Sequence, residues 1–305
     1  MYFYNYNLSL SMNKLIFLIL IFHDISISKC PVKSMSTDDE TTATTTTFYN
    51  VFIPPEIGLE ELNMELDIIK EQLALREKST HPAAPLYFHS IGKDIKELPN
   101  CINCERIGYT YRSTGDETLT LSKLYEYCKG NPDKRVAYIH NNRLFGKVND
   151  ATIRNIVTKS VFTDECFMVK NPSRSTTNNI NNKSSSCKCN VCSARFTPLP
   201  HYHTSGNMWT ADCAYISNLI HPSSFIEKMD INIDTAPSNR LGNPKSIPAP
   251  WVGKGKFAHV HWVHSHPDVC PCDVYPSMYT WDQHLPRQDW APDLAKAPRY
   301  SSILD

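Results

Sequence analysis

Histidine, glycine, asparagine and tryptophan are concentrated in one short segment, which runs from His201 to Trp209 and reads HYHTSGNMW. Gly206 permits a sharp turn, and Asn207 stands ahead of a run that predicts a helix. The imidazoles of His201 and His203 can transfer protons, and a helix N-terminus offers free N–H groups to phosphate. The segment therefore predicts a ligand-binding loop, and the alternative is a loop whose side chains only attach it to the core.

A second cluster contains four histidines, His259, His261, His264 and His266. On a strand, the two histidines of each closely spaced pair would face the same way. Such a cluster could bind a metal ion, and Trp262 adds a flat apolar ring. The chain contains no Asp-x-Asp pair to complete a manganese or magnesium site for a nucleotide-sugar. The metal stays unassigned, although a divalent cation (Mn or Mg) is compatible with the sequence.

The sequence contains 11 cysteines, a high number for a reducing compartment and an odd one if the others pair. Cys187-x-Cys189-x-x-Cys192, followed by two histidines, could hold a zinc ion or stay as free thiols, but an oxidising compartment favours disulfides. Cys30 lies in a polar segment and is the simplest unpaired thiol. The disulfide candidates are Cys101, Cys104, Cys128, Cys166, Cys187, Cys189, Cys192, Cys213, Cys270 and Cys272.

The N-terminus indicates the compartment. Lys14 is followed by an apolar run, Leu15 to Phe22, and then by His23 and Asp24. This run is too short to cross a bilayer and matches a secretory signal, whose apolar part has about 7 to 15 residues. We therefore predict a signal peptide or short signal anchor over residues 1–28, with a buried strand or helix end as the alternative. The secretory interpretation places the protein in the ER or Golgi lumen, or outside the cell.

Composition divides the rest of the chain. Residues 29–50 include a Thr-rich tract and have little to bury, so they predict a disordered stalk. Residues 51–305 contain the apolar segments of a single α/β domain. Within that domain, residues 171–186 are polar and rich in Asn and Ser, which predicts a flexible loop. Asn182 in this loop begins an N-glycosylation pattern.

Alternating helix and strand patterns indicate the fold class. Apolar residues at three- and four-residue steps predict a helix over residues 57–77. The next predicted elements are the first strand of a sheet over 86–89, a helix from Leu119 to Cys128 behind the cap residues of Thr114–Thr118, and a strand over 134–140. This succession is typical of βαβ units, so the sequence predicts an α/β domain with a mainly parallel sheet and helices on both faces. His140 then lies at the carboxyl end of a strand, where ligands bind in such sheets.

The charge balance excludes one class of protein. The chain has 31 Lys plus Arg and 31 Asp plus Glu. Tight binding to nucleic acid needs an excess of basic residues on one surface. We therefore expect no nucleic-acid partner, and membrane contact only through an N-terminal anchor.

Several segments together resemble a known family. They are the run from Gly115 to Tyr138-Ile-His140, the Cys189-Asn-Val-Cys192 pair, the HYHTSGNMW loop and HWVHSHPDVCPCDV. Over roughly residues 55–300 the chain resembles glycosyltransferase-like proteins of unicellular eukaryotes, and His203-x-x-Gly206-Asn207-x-Trp209 is the most specific motif. The resemblance implies a nucleotide-diphospho-sugar transferase-like (GT-A-like) fold. It also implies a nucleotide-sugar donor and a glycan or glycoprotein acceptor.

The chemistry of sugar transfer determines the candidate residues. The transition state carries positive charge at the anomeric carbon and negative charge on the departing diphosphate, so the site needs a base and groups that stabilise phosphate. The catalytic candidates are His203, His201, Asp212 and Glu117. The substrate-binding candidates are Tyr138, His140, Arg143, Gly206, Asn207, Trp209, Trp262, His264 and His266. Of these, Tyr138 and Trp209 are expected to stack on the ligand.

Two positions depart from the pattern of that family. Asn141-Asn142-Arg143 follows His140 where the resemblance implies a lysine, so Arg143 is its candidate replacement. Val260 stands where the resemblance implies a glutamate. These losses keep a second hypothesis open, a catalytically degenerate member that binds glycans or stabilises an enzyme partner. A secreted, disulfide-rich structural protein is a third.

Overall fold

A mixed sheet of seven strands forms the centre of the computed structural model. The structure describes residues 45–78, 84–141, 144–145, 148–149, 151–163, 166, 189–194, 196–197, 203–235 and 249–274. All of these residues belong to one unit, residues 42–305. The predicted signal segment, Cys30, Cys187 and the predicted 171–186 loop with Asn182 lie outside the described residues.

The strands of the sheet are β1 (Thr46–Ile53), β2 (Leu86–Gly92), β3 (Cys104–Thr110), β4 (Arg135–His140), β7 (Val191–Ser193), β10 (Trp209–Asp212) and β11 (Pro271–Asp273). Their order across the sheet is β11-β7-β10-β4-β1-β2-β3. β10 runs antiparallel to both of its neighbours, and every other neighbouring pair is parallel. Two small ribbons pair β5 (Leu144–Phe145) with β6 (Val148–Asn149), and β8 (Phe196–Thr197) with β9 (His203–Thr204).

Helices cover both faces of this sheet, as the sequence predicts. They are α1 (Leu59–Glu77), α2 (Thr118–Gly130), α3 (Ala151–Val161), α4 (Cys213–Ile216), α5 (Pro222–Thr235), α6 (Ala249–Val252) and α7 (His259–Trp262), with 3-10 turns at Ser205–Asn207 and Gly255–Ala258. α1 and α3 pack on the face that carries Tyr49 and Val51. α2, α4, α5 and α7 pack on the face that carries Phe48 and Tyr138.

Two predicted elements are confirmed with small shifts. The helix predicted over 57–77 is α1, and the strand predicted over 134–140 is β4. The apolar stripe that predicts α1 is only partly buried, since its first residue, Leu59, is 76% exposed. The polar Gln72, which is not part of the stripe, is fully buried. Gln72 is tolerated there because it is hydrogen-bonded on both sides, to the Tyr49 hydroxyl and to the His140 carbonyl.

The predicted boundary of the stalk at residue 50 is wrong. Thr46 to Asn50 belong to β1, which lies between β4 and β2 in the sheet. The first strand is therefore β1 and not the predicted segment 86–89, which is part of β2. Threonine is β-branched and favours strands, so a Thr-rich run can be either a spacer or a strand.

The histidine cluster does not lie on a strand, so the alternation considered for it does not apply. His259 and His261 lie in the single-turn helix α7, and His264 and His266 follow in turns. The helix is too short to show a period in the sequence.

Cysteine pairing confirms the expectation of disulfides. The bonded pairs are Cys101–Cys104, Cys128–Cys213, Cys166–Cys192 and Cys189–Cys272. Cys270 is also disulfide-bonded. In the Cys187-x-Cys189-x-x-Cys192 segment, Cys189 and Cys192 are therefore in disulfides and are not zinc ligands or free thiols. Within the ranges that the structure describes, no helix is long and apolar enough to cross a bilayer.

Candidate functional site

The strand order reverses between β1 and β4, which makes this position a topological switch point of the sheet. From β1 the chain passes through α1 to β2 and then to β3, whereas α2 returns it to β4 on the other side of β1. α1 and α2 consequently cover opposite faces of the sheet. In open α/β sheets such a switch point leaves a crevice outside the carboxyl ends of the strands, where ligands bind. The carboxyl ends of β1 and β4 are therefore the first place to look for a site.

A layer of polar side chains crosses three strands at this end of the sheet. His140 of β4, Asn50 of β1 and His89 of β2 are register neighbours and point to the α2 face. All three are buried. Thr120 of α2 lies over the layer, donating its hydroxyl proton to Asn50 Oδ1 at 2.6 Å, and its oxygen is 3.4 Å from His89 Nδ1.

An aromatic layer lies directly below the polar one. Its members are neighbours across four strands: Trp209, Tyr138, Phe48 and Tyr87. The ring centroids of Trp209 and Tyr138 are 5.4 Å apart, and those of Phe48 and Tyr87 are 5.5 Å apart. Interlocked rings of this kind form a rigid floor for the groups above them.

Glu117, just before α2, joins the aromatic floor to the 205–207 turn. Its Oε2 accepts a hydrogen bond from the Tyr138 hydroxyl at 2.8 Å and one from Asn207 Nδ2 at 2.5 Å. Asn207 Oδ1 in turn accepts a hydrogen bond from Trp209 Nε1 at 3.3 Å. Glu117 is half-buried, and its Oε1 makes no hydrogen bond to the part of the chain that the structure describes. The carboxylate is thus held through Oε2, and Oε1 has no hydrogen-bond donor among the described residues.

The protonation state of Tyr138 is fixed by its surroundings. Burial raises the pKa of Tyr138 well above its ordinary value, and the charge and hydrogen bond of Glu117 raise it further. Tyr138 therefore stays a hydrogen-bond donor to Glu117 throughout the physiological pH range.

The turn at Ser205–Asn207 has an unusual backbone. Both Gly206 and Asn207 have a positive φ, of 73° and 48°, which only glycine adopts readily. The Gly206 carbonyl accepts a hydrogen bond from His140 Nε2 at 2.7 Å. This left-handed turn brings the Asn207 amide to Glu117 and ties the turn to the end of β4.

Beside Glu117, Asp116 anchors the N-terminus of α2. It accepts hydrogen bonds from the amide and hydroxyl of Thr118 and forms an ion pair with Arg112. Burial would raise the pKa of Asp116, but the hydrogen bonds from Thr118 and the charges of Arg112 and His259 outweigh it, so the pKa lies below its ordinary value.

His259 of α7 completes this arrangement. Its Nε2 is 2.9 Å from the Thr118 hydroxyl oxygen, and its Nδ1 is 3.1 Å from the Lys256 carbonyl. The Thr118 hydroxyl gives its one proton to Asp116, so it accepts from Nε2, and the carbonyl can only accept from Nδ1. His259 therefore links the first residue of α2 to the 3-10 turn ahead of α7 through its two ring nitrogens.

Asn141 fastens the carboxyl ends of β4 and β1 together. Its side chain exchanges two hydrogen bonds with the backbone of Phe52, from the Phe52 N–H at 2.7 Å and to the Phe52 carbonyl at 2.8 Å. Gly115 packs on the half-buried Phe52 ring, so that a Cβ at this position would lie 3.4 Å from the ring. Gly115, Phe52 and Asn141 thus pack together at the carboxyl ends of β1 and β4.

A groove of about 670 Å³ begins at Thr118 and follows α5. It is lined by Thr118, Ser223, Ile226, Glu227, Asp230, Ile231, Asp234 and Thr235. Thr118, the first residue of α2, lines this groove and follows Glu117 in the chain. Hydroxyl and carboxylate groups alternate with apolar side chains along it, which suits a ligand with both hydroxyl groups and C–H faces.

The structure brings some of the sequence candidates together. Glu117, Tyr138, Asn207 and Trp209 form one hydrogen-bonded network, and Gly206 joins it to His140. Tyr138 and Trp209 are fully buried, so neither ring has a free face. The expectation that these two rings stack on a ligand is therefore wrong, and their place is in the floor of the site.

Other sequence candidates make their polar contacts elsewhere, although the Trp262 ring centroid is 6.2 Å from that of Trp209. Asp212 pairs with Arg135 at the amino end of β4, where its Oδ1 is 2.5 Å from Arg135 Nη1. Trp262 is buried and donates its indole N–H to the Ile220 carbonyl. His264 Nε2 is buried 2.5 Å from the Thr204 hydroxyl, and the His266 ring packs edge-on to Tyr215.

Three catalytic or binding candidates cannot be placed. His201 and Arg143 lie outside the described residues, and only the backbone of His203 is described, in β9. Among the described residues, no three His, Cys, Asp or Glu side chains lie close enough to hold a metal ion. The divalent cation stays a prediction.

Sequence reasoning missed five residues of the site, which are Asn50, Phe52, Asp116, Thr118 and Asn141. Of these, only Asn141 carries a positional signal, because it directly follows the last residue of the buried strand β4. Asp116 and Thr118 lie in the run Thr114-Gly-Asp-Glu-Thr118 ahead of α2, whose residue types are typical of a helix cap.

The fold and the site define a mixed α/β protein with a half-buried carboxylate at the switch point of its sheet. The family model described as "Domain of unknown function (DUF8361)" matches residues 48–304, and the chain belongs to this family. No curated protein matches the chain in sequence.

Proposed function

We propose that the protein is a glycosyltransferase that moves a sugar from a nucleotide-diphospho-sugar to a glycan or glycoprotein acceptor in the secretory pathway. The observation that carries the proposal is the half-buried Glu117 at the switch point between β1 and β4. The strand order β3-β2-β1-β4-β10-β7-β11, in which β10 alone is reversed, supports a nucleotide-diphospho-sugar transferase-like (GT-A-like) fold. The disulfides support an oxidising compartment.

Under this proposal the donor lies over the carboxyl ends of β1 and β4. Phe52 supplies a half-buried aromatic ring there, and Asn141 holds the two strand ends at a fixed separation. The diphosphate needs positive charge, for which Arg143 and a divalent cation remain the predicted sources. The acceptor glycan approaches through the groove that begins at Thr118.

Glu117 is the group that we assign to proton removal. A hydroxyl of the acceptor loses its proton as it attacks the anomeric carbon, and Oε1 of Glu117 accepts that proton. Tyr138 and Asn207 both bind Oε2, which fixes the plane of the carboxylate. Their neutral hydrogen bonds orient the base without neutralising it.

A ligand screen tests the proposal. The purified full chain is heated with uridine and guanosine diphospho-sugars, with and without manganese, and its melting temperature is measured. We expect at least one donor to raise it, by mass action on the folded state. The Glu117→Gln variant is expected to keep this shift and to lose transfer, and Glu56→Gln on the exposed surface is the matched control. No shift with any donor would contradict the donor assignment.

One observation favours a second function, a noncatalytic member that binds glycans or stabilises an enzyme partner. Tyr138 and Trp209, which were expected to contact a ligand, are fully buried, and Tyr138 and Asn207 are hydrogen-bonded to Glu117 within the protein. A site with this function would bind an oligosaccharide and show no donor-dependent shift. The same screen, extended to oligosaccharides without donor, separates the two functions.

A further inference from the structure

The Cys101–Cys104 disulfide differs from the other disulfides in its surroundings. Both of its cysteines are half-buried, whereas Cys128 and Cys213, like Cys166 and Cys192, are at most 1% exposed. In the remaining described pair, Cys189 is buried and Cys272 is half-buried. The residue after Cys101, Ile102, is 64% exposed. This disulfide alone has both halves near the surface among the described pairs.

Its position in the chain gives it the smallest structural effect. The two cysteines are 3 residues apart, whereas the other described pairs are separated by 26, 83 and 85 residues. A disulfide restricts the unfolded chain more as the closed loop becomes longer. Opening Cys101–Cys104 therefore costs the fold less than opening any of the other three.

The backbone around this disulfide is held in an unfavourable conformation. Asn100 and Asn103 have positive φ values of 56° and 55°, and they are two of the three non-glycine residues with positive φ in the described ranges. The Asn103 carbonyl accepts the Leu86 N–H at 3.0 Å, at the start of the pairing between β2 and β3. β3 is the last strand in the sheet order, so this loop lies at an edge of the sheet, where both cysteines pack on the margin of the core.

We propose that Cys101–Cys104 is a thiol–disulfide exchange site for an external dithiol. A thiolate of the dithiol attacks one sulfur of the pair, the Cys101–Cys104 bond breaks, and a mixed disulfide forms while the other cysteine leaves as a thiolate. The second thiol of the dithiol then attacks the mixed disulfide. The dithiol is oxidised to a disulfide, and Cys101 and Cys104 gain two electrons and two protons. The C-x-x-C spacing lets the reverse reaction reclose the pair.

Stepwise reduction of the folded full chain tests this inference. The oxidised protein is incubated with increasing dithiothreitol and no denaturant, the free thiols are alkylated, and the labelled cysteines are mapped by mass spectrometry. We expect Cys101 and Cys104 to become labelled at a dithiothreitol concentration at least tenfold lower than the concentration that the other described cysteines require. Amide exchange at Leu86 is expected to accelerate in the same range, because the Asn103 carbonyl is its acceptor.

Two outcomes would overturn the inference. One is labelling of Cys101 and Cys104 together with, or after, Cys128 and Cys213. The other is a Cys101→Ser, Cys104→Ser variant that no longer folds, since that result would make the disulfide a structural requirement. The variant is expected to fold, to keep the remaining disulfides and to show no labelling in the low range of dithiothreitol. None of these readouts depends on glycosyl transfer, so the inference and the proposed function can fail separately.

Discussion

Two carboxylates lie at opposite ends of strands β4 and β10, and the protein holds them in opposite ways. Asp212 at one end pairs with the buried guanidinium of Arg135, at 2.5 Å. Glu117 at the other end is bound by the neutral Tyr138 hydroxyl and Asn207 amide, both on Oε2. No ion pair links Glu117 to a lysine, arginine or histidine that the structure describes.

The difference separates a carboxylate that a cation neutralises, Asp212, from one that only neutral donors bind, Glu117. A cation neutralises Asp212, and a buried ion pair of this kind fixes the two strands that it joins. Neutral donors orient Glu117 and leave its charge available to a proton or to a developing cation. Both residues are catalytic candidates by sequence. Their binding partners in the folded protein distinguish them.

The largest expected effect is on turnover. Glu117→Gln keeps the shape of the side chain and removes its charge, so transfer should fall by about 10²- to 10⁴-fold, the usual contribution of a general base. The free energy of unfolding should change little. Rates of sugar transfer and urea unfolding curves measure the two quantities, and Glu56→Gln serves as the control. Equal loss of stability and activity would make Glu117 structural, like Asp212.

The next effect is on stability. Asp212→Ala leaves the buried Arg135 without its partner, so we expect the free energy of unfolding to fall by about 3–5 kcal/mol. Urea denaturation measures the loss. Asp133→Ala, whose side chain is 74% exposed, should change stability by less than about 0.5 kcal/mol. If Asp212→Ala folds and binds donor like wild type, the role of Asp212 is structural. If the folded variant no longer binds donor, this assignment is wrong.

A smaller effect is expected from the floor of the site. Tyr138→Phe removes one of the two hydrogen bonds to Glu117 Oε2 and nothing else, at a cost of about 1 kcal/mol of stability. The oriented carboxylate loses part of its restraint, so kcat should fall while KM stays within a factor of two or so. Kinetics of Tyr138→Phe beside wild type measure this split. A change in KM alone would place Tyr138 in binding and not in orientation.

The smallest effect concerns pH. Burial lowers the pKa of His89, partly opposed by the charge of Asp116, so the folded state holds this imidazole neutral. Its contribution to stability is present above the unfolded pKa of about 6.5 and is lost as the pH falls from there towards the lowered folded pKa. Unfolding free energies measured from pH 8 to pH 5 should decline less steeply for His89→Gln. An unchanged slope would contradict the buried, neutral assignment.

Elements with a long period or a strong alternation could be predicted from the sequence. α1 extends over five turns and β4 alternates between two cores, and both were located to within two residues. β1 is not predictable in this way, because its Thr-rich start also fits a polar spacer and only its pairing with β2 and β4 buries those threonines. α7 was missed because four residues cannot show a helical period.

The candidate site could be predicted only in part. Glu117, Asn207 and His140 were singled out by residue type and by position at strand or helix ends, and the structure places them around one turn. Asn50 and Asn141 were not, because a single asparagine in a sequence looks like a turn residue. Their roles depend on the register of β1 against β4, which joins residues about 90 positions apart and leaves no local trace.

Hydrogen exchange with and without donor tests the central claim most directly. The full chain is labelled alone and with uridine or guanosine diphospho-sugar plus manganese, and protection is compared at the two ends of β4 and β10. The account predicts protection at residues 50–53, 115–120, 138–141 and 206–209, and unchanged exchange at 133–136 and 211–213. Protection around Asp212 and Arg135, or none at the Glu117 end with any donor, would contradict it.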